Sequence, residues 1–374
     1  MQKSDIIQNL VGVLKLKNLN NFSVVVGFDG FVDEIISVVL ERRSLNDWSA
    51  VPTIHEFGEI ILAAAGKSSL REIIIHKVDP GGCAVNMGDG LQMLGIEVNC
   101  FATLGKPMHP AFFEFAKKCK VCNSWGSSPG RTLAFEFSDG KLMFSSVTQL
   151  ADFKPESLDN ELADGTYLNS CSKAQLIALT DWTLYPHMTD CWIKLKKDVY
   201  SKLSHKPYFY FDLVDPSSRS LSDVSRMLDI LSSFQNHGPT ILGLNLAEAR
   251  VVGKALEIQS ANDSPDTVKA LAAQIRQRLN VDQVVIHSIK FAVVAEKDCN
   301  FYYEGPFCEK PKKSTGAGDR FNAGYIAGLL LKLDPVSRLA LASATSGFFV
   351  RHAKSPTLVE LENFLENWAN NRLD

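Results

Sequence analysis

Short apolar runs alternate with longer amphipathic ones along most of the chain. Residues 22–27, 97–103, 176–180, 208–213, 240–244 and 283–287 are compact runs rich in β-branched and aromatic side chains. Runs without polar alternation suit parallel strands covered on both faces. Between them, residues 188–203, 222–234 and 266–279 keep their apolar positions at helical spacing. Strand and helix in alternation predict an α/β fold, a doubly wound and mostly parallel sheet with helices on both faces. Ligands of such sheets bind beyond the carboxyl ends of the strands.

Two regions break the alternation. Residues 131–137 and 141–147 flank Ser138-Asp139-Gly140, a hairpin signature, and residues 33–40 read as a strand running past the sheet. A small antiparallel β lid, built from about 33–50 and 131–147, accounts for both. Residues 45–78 carry no clear assignment beyond an extra helix over 56–65. With no internal repeat or long linker, residues 1–374 are expected to form one domain with the lid inserted in it.

Composition narrows the function. The 39 basic and 42 acidic residues leave a net charge of -3. That balance gives no counterion-release drive toward nucleic acid or an anionic membrane, and neither is expected as a partner. No apolar run approaches the ~18 residues of a membrane span. Eight cysteines without a secretory leader are expected to be thiols in a reducing cytoplasm. Cys119 and Cys122 form one Cys-x-x-Cys, but no second ligand pair follows, so the motif is read as incidental.

The densest chemistry lies in Ser314-Thr315-Gly316-Ala317-Gly318-Asp319, which opens a helix over 320–333. Gly316 and Gly318 let the backbone turn amides toward an anion, and the helix dipole adds about half a positive charge there. Asp319 in the first turn can take a proton from a hydroxyl beside the phosphate. Anion hole and base in one turn suit phosphoryl transfer to an alcohol, which rests on positioning and charge stabilisation. A capping Asp after a glycine turn is the competing reading. A second motif, Gly81-Gly82-Cys83-Ala84-Val85-Asn86, starts a helix that Gly95 ends. Its glycines leave room for a ligand near the backbone, or simply make a tight turn, and Asn86 offers a donor and an acceptor to hydroxyls.

Together these segments resemble the PfkB/ribokinase family of sugar and nucleoside kinases. Its first signature is matched by Gly81, Gly82, Asn86, Leu91, Leu94 and Gly95. Its second is matched by Thr315, Gly316, Ala317, Gly318, Asp319, Phe321 and Gly324. A third family motif, Asn-x-x-Glu, reads Asn245-Leu246-Ala247-Glu248. The resemblance implies ATP as donor and Mg²⁺ as cofactor. It makes Asp319 the base and the amides of Gly316, Ala317 and Gly318 the anion hole. Asn245, Glu248 and Thr315 become the cofactor-binding candidates, Glu248 holding Mg²⁺ through water. Asp33 or Asp29, with Gly81, Gly82 and Asn86, would bind the acceptor. Asp33 fits the family position better, and a cap on the turn at Gly30 is the alternative reading of Asp29. Asp181, Asp215 and Arg219 are weaker candidates at neighbouring strand ends. The partner implied is a small sugar or nucleoside, with a homodimer through the lid edge as a further expectation.

Three departures from the family pattern stand out. Potassium-activated members carry an acidic residue six positions before the base, where this chain has Lys313, whose ammonium could replace or exclude the cation. The family's Thr-Leu-Gly reads His287-Ser288-Ile289. Arg320 follows the base where small residues are common, and either meets phosphate or points to solvent. The leading expectation is a kinase for a sugar hydroxyl. A nucleoside kinase and a catalytically silent binding protein are the alternatives. A dinucleotide oxidoreductase fits poorly, because the Gly-x-Gly-x-x-Gly spacing is missing.

Overall fold

The computed structural model describes residues 3–373. In chain order the strands are β1 (Ser23–Gly27), β2 (Phe31–Arg42), β3 (Trp48–Ala50), β4 (Ile73–Gly81), β5 (Glu97–Ala102), β6 (Val121–Ser124) and β7 (Gly130–Phe137). There follow β8 (Gly140–Ser146), β9 (Leu176–Thr180), β10 (Tyr208–Asp212), β11 (Thr240–Asn245), β12 (Gln283–His287), β13 (Phe291–Ala295) and β14 (Asn300–Glu304). Nine of them form one sheet in the order β14-β13-β12-β11-β10-β9-β1-β5-β6. It is parallel from β6 to β12, and the β12–β13 and β13–β14 pairs are antiparallel.

Both faces are covered, which explains the unbroken apolar runs. Val24 and Val26 enter a core shared with the helices Cys83–Met93, Ala317–Leu330 and Pro335–His352. Val25 enters the opposite core, shared with Met188–Asp198, Leu221–Ser232 and Pro265–Leu279. The strand order reverses at β1, whose neighbours β5 and β9 lie on either side. The crevice beyond its carboxyl end is therefore the place for a ligand. Among the described residues, no helix is long and apolar enough to cross a membrane.

The lid is a separate five-stranded sheet. Its central strand β2 pairs antiparallel with β3 and β4 and parallel with β7, and β8 closes the edge antiparallel to β7. Two expectations change here. The lid is not purely antiparallel, and residues 73–81, unassigned from sequence, form one of its strands. The extra helix is present as Ile54–Ala63; Phe57 and Ile60 pack it on Ile36, Val38, Val51 and Phe135. Between β5 and β6 lie a short 3-10 turn, Pro110–Phe112, and the helix Phe113–Ala116.

Candidate active site

The two motif helices, Cys83–Met93 and Ala317–Leu330, begin side by side beneath the lid. Asn86 Nδ2 on the first donates to Asp319 Oδ2 on the second at 2.9 Å. The double glycine serves the chain's own carboxylates. A Cβ on Gly81 would stand 2.4 Å from Asp33 Oδ2. Gly82 has φ +97°, and a Cβ there would stand 2.9 Å from Asp29 Oδ2 and 3.0 Å from the Gly30 Cα.

This arrangement separates the two acceptor candidates. Asp29 is 1% exposed. Its oxygens accept from the amides of Cys83 and Ala84 and from the Thr180 hydroxyl. With both oxygens taken up in this way, Asp29 caps the Cys83–Met93 helix in this conformation. Asp33 is half-buried on the lid strand, accepts from the Thr132 hydroxyl, and is pushed above its ordinary pKa by burial. Its register partner on β4 is Asp79. Lys313 Nζ lies 3.6 Å from Asp79 Oδ2, so Lys313 reaches the lid carboxylates.

In the Ser314–Asp319 turn, Gly316 adopts φ +87°. The Ala317 amide donates to the Ser314 carbonyl at 3.0 Å, which removes it from the expected anion hole in this conformation. The first-turn amides of Gly318 and Asp319 lie beside it, at the positive end of the helix. Thr315 is half-buried within the same turn. Arg320 does not point to solvent: its side chain is 9% exposed and lies against Asp89 and Ser355, where with Asn86 and Lys313 it lines a second cavity of about 280 Å³.

Asp319 sits in a group of buried carboxylates gathered at the carboxyl ends of β1, β9 and β10. Asp212 Oδ2 accepts from Asn322 Nδ2 at 2.6 Å, and Asn322 Oδ1 accepts from the Tyr210 hydroxyl at 2.6 Å. Asp181, at φ +52°, is 1% exposed and accepts from the Leu184 amide at 3.1 Å. Burial pushes Asp319 up to about 8, with the Asp212 charge adding to it. Asp212 rises to about 6, again chiefly by burial. Cys83, Asp212 and Asp319 bring one ligand atom each within 4.8 Å of one another. Burial holds the Cys83 thiol well above its ordinary pKa, so this trio suits proton chemistry better than a hard cation.

Beyond the turn opens a cavity of about 670 Å³, lined among others by Asn245, His287, Phe307, Gly318, Phe321 and Gly347. That volume is of the size that holds a small-molecule cofactor. Burial pushes His287 down to about 4, leaving a neutral ring 4.8 Å from the Phe321 ring and against Gly318. Asn245 and Glu248 form a reciprocal capping box on the helix Leu246–Ala255: the Glu248 amide donates to Asn245 Oδ1 at 3.0 Å and the Asn245 amide to Glu248 Oε2 at 2.8 Å. Glu248 is 6% exposed, and burial together with Asp212 raises it to about 8.

Of the weaker candidates, Arg219 braces the β9 loop. Its guanidinium lies 4.3 Å from the Trp182 ring and donates to the Thr183 carbonyl at 3.1 Å. Asp215 caps the 3-10 turn Pro216–Ser218. Sequence reasoning missed Asp212 and Asp79. Asp212 had a signal, being a carboxylate at the end of a parallel strand run; Asp79 sits in a strand without clear patterning.

A doubly wound sheet, a lid, and a glycine turn presenting a buried carboxylate define a ribokinase-type carbohydrate kinase. A family model described as prokaryotic ketohexokinase matches residues 15–368, and the chain belongs to that family. A ketohexokinase from Haloferax volcanii is 26% identical over 348 residues, covering 92% of this chain and 91% of that protein. A ribokinase from Thermotoga maritima superposes with a TM-score of 0.61 at 16% identity, over 92% of this chain and 99% of its own. A nucleoside kinase from Methanocaldococcus jannaschii gives 0.60 at 15%, over 92% and 98%.

The raised carboxylates link stability to pH. Asp319 and Glu248, near 8 when folded, release their protons near 4 when unfolded. Their contribution is complete below about pH 4 and is lost as pH rises toward about 8. His287 is depressed instead, and its contribution is lost as pH falls below about 6.5. Between about pH 6.5 and 8.5 the carboxylates dominate, so the melting temperature of the nucleotide-free chain should fall with pH. Scanning calorimetry in matched ionic strength checks this, and a rise over that interval contradicts it.

Proposed function

We propose that this carbohydrate kinase transfers the γ-phosphoryl group of ATP to a hydroxyl of a ketohexose. The observation that carries the reading is the placement of Asp319: a buried carboxylate, raised to about 8, in the first turn of a helix whose glycine turn lines the 670 Å³ cavity. The family match and the Haloferax volcanii ketohexokinase favour a ketohexose over a nucleoside. The intact turn, base and Asn-x-x-Glu motif argue against a silent member.

Asp319 takes the proton of the acceptor hydroxyl, whose oxygen bonds to the γ-phosphorus as the bond to the ADP oxygen breaks. Developing charge on the phosphoryl oxygens is met by the turn amides, with Gly318 foremost and Gly316 beside it. Ala317 joins them only if its bond to Ser314 opens. Asp33, with Gly81 and Gly82 behind it and Asn86 opposite, binds the sugar hydroxyls. Asn245 and Thr315 flank the triphosphate. Glu248 fits Mg²⁺ as a buried oxygen donor: its Oε2 is held by the Asn245 amide, which leaves Oε1 for a metal-bound water. When bound, Mg²⁺ supplies charge neutralisation on the phosphate oxygens.

The lid excludes water on closing. Its outer face keeps Ile73 at 40%, Ile75 at 46% and Phe144 at 53% exposure beside the covering helix, which supports a second copy of the chain as a lid partner. The eight unpaired thiols support a reducing, cytoplasmic setting.

Three outcomes are expected. In a panel of sugars and nucleosides assayed for ADP release, ketohexoses should give the highest kcat/KM. Asp319→Asn should then lower kcat by on the order of 10²–10⁴ with the sugar KM little changed. A variant retaining the parental rate would remove Asp319 as base. Activity should also be equal in sodium and potassium, because Lys313 and Arg320 supply fixed positive charge beside the turn. Strong potassium activation would sink that idea.

A further inference from the structure

An anion hole made from backbone has a built-in demand. For the amides of a tight turn to face a phosphoryl group, its carbonyls must face away and be bonded behind it. Behind the Gly316–Gly318 turn stands Arg320. Its NH1 donates to the Gly316 carbonyl at 3.4 Å, and its own amide reaches the same oxygen at 3.3 Å. A Cβ on Gly316 would stand 2.7 Å from that NH1, so the glycine is needed here for the arginine to approach.

The rest of the guanidinium is anchored on other elements. Nε donates to Ser355 Oγ at 3.0 Å, NH2 donates to Asp89 Oδ2 at 3.0 Å, and Ser355 Oγ donates to the same Asp89 oxygen at 2.6 Å. The Phe349 ring lies 4.5 Å from the guanidinium carbon. Asp89 and Asn86 are one turn apart on the Cys83–Met93 helix, and Asp319 and Arg320 are consecutive on the facing helix. Asn86 holds Asp319 while Asp89 holds Arg320. The two helix starts are thus clamped by adjacent pairs, one at the base and one behind the anion hole.

We propose that Arg320, anchored by Asp89 and Ser355, is a positioning residue. It holds the Gly316–Gly318 turn with its amides forward and sets the distance between Asn86 and Asp319. This rests on Asp319 acting as the base. A planar fork is suited to three partners at fixed angles, which an ammonium cannot match.

Arg320 is also the cation that counters the charges around Asp319. Facing the base are Asp212 from β10, Asp29 after β1, Asp181 at the end of β9, Glu248 from the Leu246–Ala255 helix, and the Cys83 thiol and Asn86 from the Cys83–Met93 helix. His287 from β12 packs against Gly318 as a neutral ring. The Arg320 charge lowers the Asp319 pKa against this group, so removing it should push the base further up.

The test compares Arg320→Met, Arg320→Lys and Asp89→Asn with the parent and Asp319→Asn, using Mg²⁺-ATP and the best ketohexose of the panel. Arg320→Met should lose kcat by on the order of ten- to a hundredfold, with less than about a threefold change in sugar KM, and its acid limb should move to higher pH. Arg320→Lys should return the acid limb toward the parent without restoring kcat. Asp89→Asn, which leaves the Arg320 charge in place but loosens its anchor, should lower kcat with a smaller limb shift. If Arg320→Met does not fold, the last two variants carry the comparison. Parental kcat in Asp89→Asn and Arg320→Lys, or an unmoved acid limb in a folded Arg320→Met, overturns the proposal. Parental activity in Asp319→Asn would instead remove the base on which it rests.

Discussion

The structure is organised around a concentration of buried carboxylates where β1, β9 and β10 end. Asp29, Asp181, Glu248 and Asp319 are buried and Asp212 is half-buried among them. Ionising all of them in a space of low dielectric is unfavourable, so the protein either bonds them or lets them hold protons. Asp29 is bonded, by two helix amides and a hydroxyl. Asp212 is bonded by Asn322. Asp319 keeps one side-chain bond, from Asn86, which does not offset the burial and the Asp212 charge that raise its affinity for a proton. A base poised near neutral pH is what proton abstraction from an alcohol needs.

The same constraint accounts for the helix starts. Asp29 places the Cys83–Met93 helix by capping it, and that helix carries Asn86 to Asp319 and Asp89 to Arg320. Gly81 and Gly82 are small because carboxylates of the chain itself occupy the space beside them. Gly316 is small because the Arg320 guanidinium does. Gly81, Gly82 and Gly316 therefore each record a close internal contact.

Much of the fold was legible because parallel strands covered on both faces leave unmistakable apolar runs; residues 176–180 and 283–287 were read at their observed bounds. What was not legible had other physics. β4 is mostly exposed, with Ile73, Ile74 and Ile75 in unbroken sequence rather than alternating with polar residues, and its pairing is set by β2 rather than by its own pattern. The β13–β14 hairpin forms the antiparallel edge beyond β12, where the alternation of strand and helix stops. In the site, glycine spacing marked both helix starts. Asp29 could not be told from Asp33 by sequence, since what separates them is which one lies under the helix start. Asp212 was hidden for a related reason, because its significance comes from its distance to Asp319 across the sheet. Arg320 was noticed as a departure, but its buried anchor at Asp89 and Ser355 lies hundreds and tens of positions away in sequence.

The most direct test of the central claim is the pH dependence of kcat/KM in Asp212→Asn beside the parent. That quantity reports the free enzyme's base. If the carboxylate group sets the proton affinity of Asp319, the parental acid limb lies near pH 8 and the variant's moves to lower pH. A limb that stays in place when Asp212 is neutralised would contradict the account.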